Sequence, residues 1–285
     1  MSILVSAQVL ACSPSAHEGV DDATERRHRA WGAELVQEAG ILLRLPQAVM
    51  VTGQAILQRF FYRRSLRAFS ASTVAMASIF LAAKIEECMK RIRDVLCVFN
   101  HMHRKRLQLP AQPLLAGSPT YQRWAADAFL AERHILKELG FRLYTMMQHP
   151  HRFILYFVKA LRLCEHERDV AQHAWAFLND SMRTDCCVRY KPQVMACAGI
   201  YVAARVLRVS LPCAPPTQWW DVFETSYEEI ILASARVLAL HGAEKVQWLE
   251  PLDPQHSAPA HDSREKDNGN SMGQHEMNVV SVITK

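Results

Sequence analysis

Phosphate loops, metal clusters and strands are what this sequence does without. Its 10 glycines in 285 residues include no GxGxxG or GxxxxGK spacing, so no turn is built to cradle a nucleotide phosphate. Neither HExxH nor GxSxG occurs, which removes two common hydrolase sites. The 8 cysteines, at 12, 88, 97, 164, 186, 187, 197 and 213, contain no CxxC pair. Cys97 and Cys197 fall inside apolar helical patterns, so the thiols read as reduced and intracellular rather than as a zinc site. His101-x-His103 and His149-x-His151 have nothing nearby to complete a ligand set and read as surface histidines. No metal and no cofactor is expected. No apolar run approaches the roughly 18 residues of a membrane span, and MSILVSAQVL lacks the basic start of a signal peptide. The net charge of +5 is too mild to argue for nucleic acid. Arg104-Lys105-Arg106 reads first as a solvated helix end and second as a nuclear import signal.

What is present is helical period. Thr73 to Glu87, TVAMASIFLAAKIEE, is apolar on every side as far as Ala83, the mark of a core helix. Its character then flips at Lys84, Glu86 and Glu87. Such a Lys either reaches solvent or presents itself, with a nearby carboxylate, to another protein. The same pattern recurs ungapped at Val194 to Arg205, VMACAGIYVAAR, offset by 121. That spacing is too wide for a solenoid, whose units are typically ~20–50 residues, and indicates a duplicated domain.

Around these helices the chain breaks into further periodic stretches. Helices are predicted over 25–45 and 47–66, Pro46 separating them, and over 93–104. The proline-containing stretch 107–117 reads as a loop, and Ser118-Pro119 opens a helix that Gly140 closes. In the second half, helices are predicted over 151–162, 167–183, from Pro192, a short one around Trp219 to Phe223, and one after the Ser226–Glu229 capping box. The expectation is an all-α protein. It has a flexible N-terminus (1–24), two similar helical domains (25–148 and 149–245) and a disordered tail (246–285). Ser70 or Ser72 is expected to cap the central helix.

The segments ELVQEAGILLRLPQ (34–47), RFFYRRS (59–65), VAMASIFLAAKIEE (74–87), RIRDVLCVF (91–99), ERHILKELGF (132–141), HPHRFI (149–154) and YKPQVMACAGIYVAAR (190–205) together resemble the cyclin family, and within it the L-type cyclins of transcription and pre-mRNA splicing. The resemblance spans roughly residues 30 to 242. It implies two tandem five-helix cyclin-like domains with an N-terminal helix, AAKIEE closing the second helix of the first. It also implies a nuclear regulatory subunit, not an enzyme, that binds and activates a cyclin-dependent serine/threonine kinase, with splicing factors as further partners. Direct nucleic-acid or membrane binding is not expected. The family's kinase-contacting Lys and Glu fall at Lys84 and Glu132, its apolar contacts at Phe141 and Leu143, and Glu87 stands beside them. Substituting Lys84 or Glu132 is expected to weaken kinase binding and leave thermal stability nearly unchanged. L-type cyclins usually follow IEE with Ala-Pro-Arg-Arg, where this chain has Cys88-Met89-Lys90-Arg91, and they carry an Arg/Ser-rich tail, so this sequence reads as a short form. Two rival readings carry different expectations. A general-transcription-factor core of the same double fold would bind promoter DNA, and a diverged helical scaffold would bind no kinase.

Overall fold

The computed structural model describes residues 4–141, 148–214, 217–242 and 246–252. The chain divides into two compact units. The first holds residues up to His149, the segment Met182–Val188, and the stretch 246–252; the second holds Pro150–Ser181 and the described residues from Arg189 to Gly242.

The first unit begins with two short helices, α1 (Ala7–Ala11) and α2 (Pro14–His17). Five long helices follow: α3 (Asp22–Leu42), α4 (Gln47–Phe60), α5 (Ala71–Ile85), α6 (Ile92–Arg106) and α7 (Pro119–Glu138). Helix α5, the apolar stretch of the sequence, is the hub and packs against the other four. Val74, Ala75, Ala77, Ile79 and Ala82 on it are wholly buried. Each fully buried branched or aromatic side chain contributes about 1.5–3 kcal/mol relative to exposure. Small residues permit the close approach: a Cβ on Gly53 of α4 would lie 3.0 Å from Val36 Cγ1 and 3.5 Å from Ala82 Cβ. Gly40, which weakens the helical pattern in the sequence, is needed in α3 for the same reason. A Cβ there would lie 2.2 Å from Met50 Cγ.

Helix starts follow the sequence signals. Asp21 accepts from the Thr24 amide at the head of α3, and Ser118 accepts from that of Tyr121 ahead of Pro119. Ser70 stands at the α5 N-cap but makes no cap hydrogen bond; its hydroxyl lies 2.8 Å from that of Ser72. Helix ends show what scarce glycine costs. Gly140, at φ +62°, closes α7. Arg44, Glu87 and Gln108 take the same left-handed position after α3, α5 and α6, at φ 54°, 56° and 55°. Each following amide, Leu45, Cys88 and Leu109, bonds back to the carbonyl of Gly40, Ala83 and Arg104. A side chain in that region costs roughly 1–2 kcal/mol, which the closed helix end offsets.

Several expectations change here. The helix carrying Lys84 is the third of the five long helices, not the second, because the helix from Asp22 is the first of the set. Residues 4–24 are not loose. Ser15 is fully buried and its hydroxyl accepts from the Leu66 amide, while Ser13 donates to the buried Glu25 carboxylate. Glu25 in turn holds Arg29 at 3.2 Å, and Arg29 donates to Gln58 and lies over the Tyr62 ring. Tyr62 donates to Asp185 and Gln58 to the Arg183 carbonyl, which ties Met182–Val188 into this unit. Residues 246–252, expected in the tail, are seated too. Trp248 makes edge contacts with Trp31 at 5.1 Å and His103 at 4.5 Å. Arg106, expected in solvent, is 12% exposed at its side chain and bonds to Glu34, Glu38 and the carbonyls of Val246 and Gln247. The expected disordered residues from 253 to 285 lie outside the described residues.

The second unit is built from α8 (His151–Ala160), α9 (Glu167–Ser181) and, past the short α10 (Cys186–Arg189), α11 (Pro192–Leu207) and α12 (Tyr227–Leu238). The predicted helix around Trp219–Phe223 is a single 3-10 turn, Asp221–Phe223, so four long helices and that turn fill the five places. A two-residue antiparallel pair precedes it, β1 (Cys213–Ala214) and β2 (Thr217–Gln218), in register Cys213 with Gln218. Helix α11, the repeat of α5, is again central, packed against α8, α9 and α12. A Cβ on Gly199 would meet the Ala174 carbonyl of α9 at 3.2 Å. The fold is all-α, as expected. Among the described residues no helix is long and apolar enough to cross a membrane.

Candidate functional site

The charged end of α5 does not simply reach solvent. Lys84 lies in the last turn of α5, where a cation complements the free carbonyls of the helix end. Its ammonium donates to Glu132 Oε1 at 2.6 Å and stands 4.1 Å from the centre of the Phe80 ring, one turn back. Glu132 follows buried Ala131 on α7 and is itself only 8% exposed; the Lys84 side chain is 41% exposed. Phe80 meets Phe129 edge-on at 6.0 Å, and Phe129 lies three residues before Glu132. Helical spacing thus builds the site twice: Phe80 and Lys84 at i, i+4 on α5, Phe129 and Glu132 at i, i+3 on α7. An ammonium held between a ring face and a carboxylate is fixed in place yet keeps donors toward solvent.

Exposed apolar side chains stand on the same helix as Glu132 and just past the end of the helix that carries Lys84. Phe129 is 48% exposed, Leu130 47% and Met89 77%. Phe141, just past Gly140, is 71% exposed and held at φ 58°, so a large ring is displayed on a strained turn. Glu87 occupies the left-handed position after α5 and faces solvent. Leu143 lies outside the described residues. The structure therefore brings Lys84 and Glu132 into direct contact and sets Glu87 and Phe141 at the exposed ends of the same two helices.

Three features escaped the sequence reading. Glu86, grouped there with the charged flip, turns inward: Thr52 donates to it at 2.6 Å, and His149 Nε2 lies 3.1 Å from that hydroxyl and 3.5 Å from the carboxylate. A hydroxyl that donates to the carboxylate accepts from the ring, which places hydrogen on Nε2. Of the four histidines expected at the surface, His101 is exposed, whereas His103 packs against Trp124 and Trp248, and His151 against Trp175 with Asn179 at 3.0 Å. The aromatic platform of Phe80 and Phe129 was missed as well; its signal was the helical offset from each charged residue. Among the described residues, no group of three or more His, Cys, Asp or Glu is placed to hold a metal ion.

Comparison with known proteins gives the class. The family model "Cyclin, N-terminal domain" matches residues 4–144, and "Cyclin-T2-like, C-terminal domain" matches residues 149–235. With a helical repeat under both, the chain belongs to the cyclin family. Within that family its relatives are of the L type. It is 42% identical over 245 residues to human Cyclin-L1, covering 86% of this chain and 45% of that protein. To human Cyclin-L2 it is 43% identical over 237 residues, covering 83% and 44%. To Cyclin-L1-1 of Arabidopsis thaliana it is 41% identical over 249 residues, covering 86% and 57%. The chain spans about half the length of these relatives. Among solved structures, a chain of the yeast RNA Pol II CTD kinase CTDK-1 complex superposes with a TM-score of 0.65 over 84% of this chain and 73% of that one. At 15% identity that likeness concerns the fold.

Proposed function

We propose that the chain is a non-catalytic regulatory subunit that binds and activates a cyclin-dependent serine/threonine kinase acting in RNA polymerase II transcription and pre-mRNA splicing, in the nucleus. The observation that carries this reading is the Lys84–Glu132 pair, set against Phe80 and the exposed Phe129, with exposed Leu130 on the same helix as Glu132 and exposed Phe141 just past its end. Kinship supports it: the relatives are L-type cyclins, and the structural neighbour belongs to a kinase complex. In this reading Lys84, Glu132, Phe141, Leu143 and Glu87 form the kinase-binding face. The exposed apolar side chains of this face desolvate the contact, and the pair supplies a spare ammonium donor and a carboxylate lone pair for partner main chain. Docking there would move the kinase's αC helix inward and complete its Lys–Glu ion pair.

The test is affinity purification of the tagged chain from nuclear extract, identification of a co-purified kinase, and titration of that kinase with wild type and with Phe129→Ala/Phe141→Ala. Loss of about 2 kcal/mol, roughly thirtyfold in affinity, is expected for the double variant. Wild-type affinity in that variant would remove this face from the reading.

A further inference from the structure

The connection between α6 and α7, residues 107–118, is longer than the roughly 2–8 residues that usually join helices of a bundle. It contains Leu109-Pro110-Ala111-Gln112-Pro113, two X-Pro pairs with one residue between them. Prolines in a connector have an ordinary explanation, since they stiffen it. Here the stiffened segment also faces outward and is pinned in one conformation. Each proline fixes its φ near about −65°, and the residues before them, Leu109 and Gln112, are steered into the extended region. Residues 109–115 accordingly run without helix, turn or strand. Two side chains one turn apart on α6 hold the backbone. Arg104 Nε donates to the Pro110 carbonyl at 2.7 Å, and Asn100 Nδ2 to that of Gln112 at 2.9 Å. Leu114 packs against the core of the first unit. Leu109, Pro110, Ala111, Gln112 and Pro113 are all exposed, Leu109 at 45%.

We propose that this segment docks a protein module whose aromatic-lined groove reads polyproline II, of the SH3 or WW type. A polyproline II strand makes no hydrogen bonds within itself and turns once in about three residues. Pro110 and Pro113 therefore share one edge, and Leu109 and Gln112 the next, so the two X-Pro pairs stand as successive ridges. Leu114 marks the third edge as the one turned to the core. Aromatic grooves take X-Pro pairs at this spacing, and they gain affinity from a strand that is already ordered. The two α6 side chains supply that order before any partner arrives. The segment stands apart from the kinase-binding face proposed above. It enters α7 at Pro119, and Glu132 lies about 20 Å further along that helix at about 1.5 Å per residue. Docking here leaves Lys84 and Glu132 open, and the proposal stands whether or not a kinase binds them.

The experiment is fluorescence anisotropy of a panel of purified, labelled SH3 and WW domains titrated with the full chain. At least one domain is expected to bind wild type at least about tenfold more tightly than Pro110→Ala/Pro113→Ala, which removes both ridges and no hydrogen bond. A thermal melt of the double variant close to that of wild type is expected alongside, since both prolines are exposed. A short proline-rich peptide that fills the groove of the bound domain is expected to displace wild type, a measurement that needs no variant. Leu115→Ala, an exposed apolar residue past the second X-Pro pair, is expected to bind as wild type does. Binding by no domain of the panel overturns the proposal. So does equal affinity of wild type and the double variant, or failure of the proline-rich peptide to compete. A loss in Leu115→Ala as large as in the double variant overturns it too, because it marks the contact as general apolar adhesion.

Discussion

Replacing Lys84 by Ala tests the pair most directly, because the two partners are unequally buried. The Glu132 side chain is 11% exposed and that of Lys84 41%. Lys84 is the hydrogen-bond partner of that carboxylate, so its removal strands a largely buried charge. Breaking a fully buried pair costs about 3–5 kcal/mol, whereas an exposed pair is worth about 0–1 kcal/mol. The half-open ammonium side admits water and screens the stranded charge, so Lys84→Ala should cost about 1–2 kcal/mol. The lost contact with Phe80 lies within that figure. Glu132→Ala should cost less, at most about 1 kcal/mol, since the ammonium can swing into solvent. The double variant should be little worse than Lys84→Ala, a coupling of about 1 kcal/mol. For a unit of this size each kcal/mol lowers the melting temperature by roughly 2–4 °C. The expectation of unchanged stability therefore gives way for Lys84. The assay is a thermal melt of wild type, both single variants and the double. Strictly additive losses, or a Lys84→Ala melt identical to wild type, would show the pair to be a solvated surface contact.

Trp248→Ala should destabilise the first unit by about 2 kcal/mol, two aromatic edge contacts at about 0.5–1.5 kcal/mol each, and should speed proteolysis within 246–252; an unchanged urea midpoint would refute that seating. His28 has its pKa lowered from 6.5, first by burial and then by the Arg27 charge. The unfolded chain therefore binds more protons there, so the contribution is complete above pH 6.5 and is lost as pH falls below it. His28→Gln should flatten the acid side of the stability curve between pH 7 and pH 5, read by urea melts, and an identical slope would contradict this.

The helices themselves were legible because they depend on local order. Apolar period marked α5 and α11, Ser118-Pro119 and Gly140 marked the ends of α7, and the offset of 121 residues exposed the duplication. Resemblance in seven separated segments added the cyclin family and pointed at Lys84 and Glu132. Tertiary structure decided how those residues stand. No sequence signal says that Glu132 is buried while Lys84 is half open, or that Phe80 and Phe129 meet beneath them, since each pair joins helices 48 or 49 residues apart in the chain. It also decided the fate of segments without period. Trp248 and Ser15 carry no helical pattern to betray them, yet both are fixed, because a concave apolar surface or an orphan amide far along the chain waits for each. Arg106 and Glu86 mark the limit most sharply. Both look like solvated charges in the sequence, and both turn inward, because a carboxylate pair in one case and a threonine hydroxyl in the other return the hydrogen bonds that water would have made.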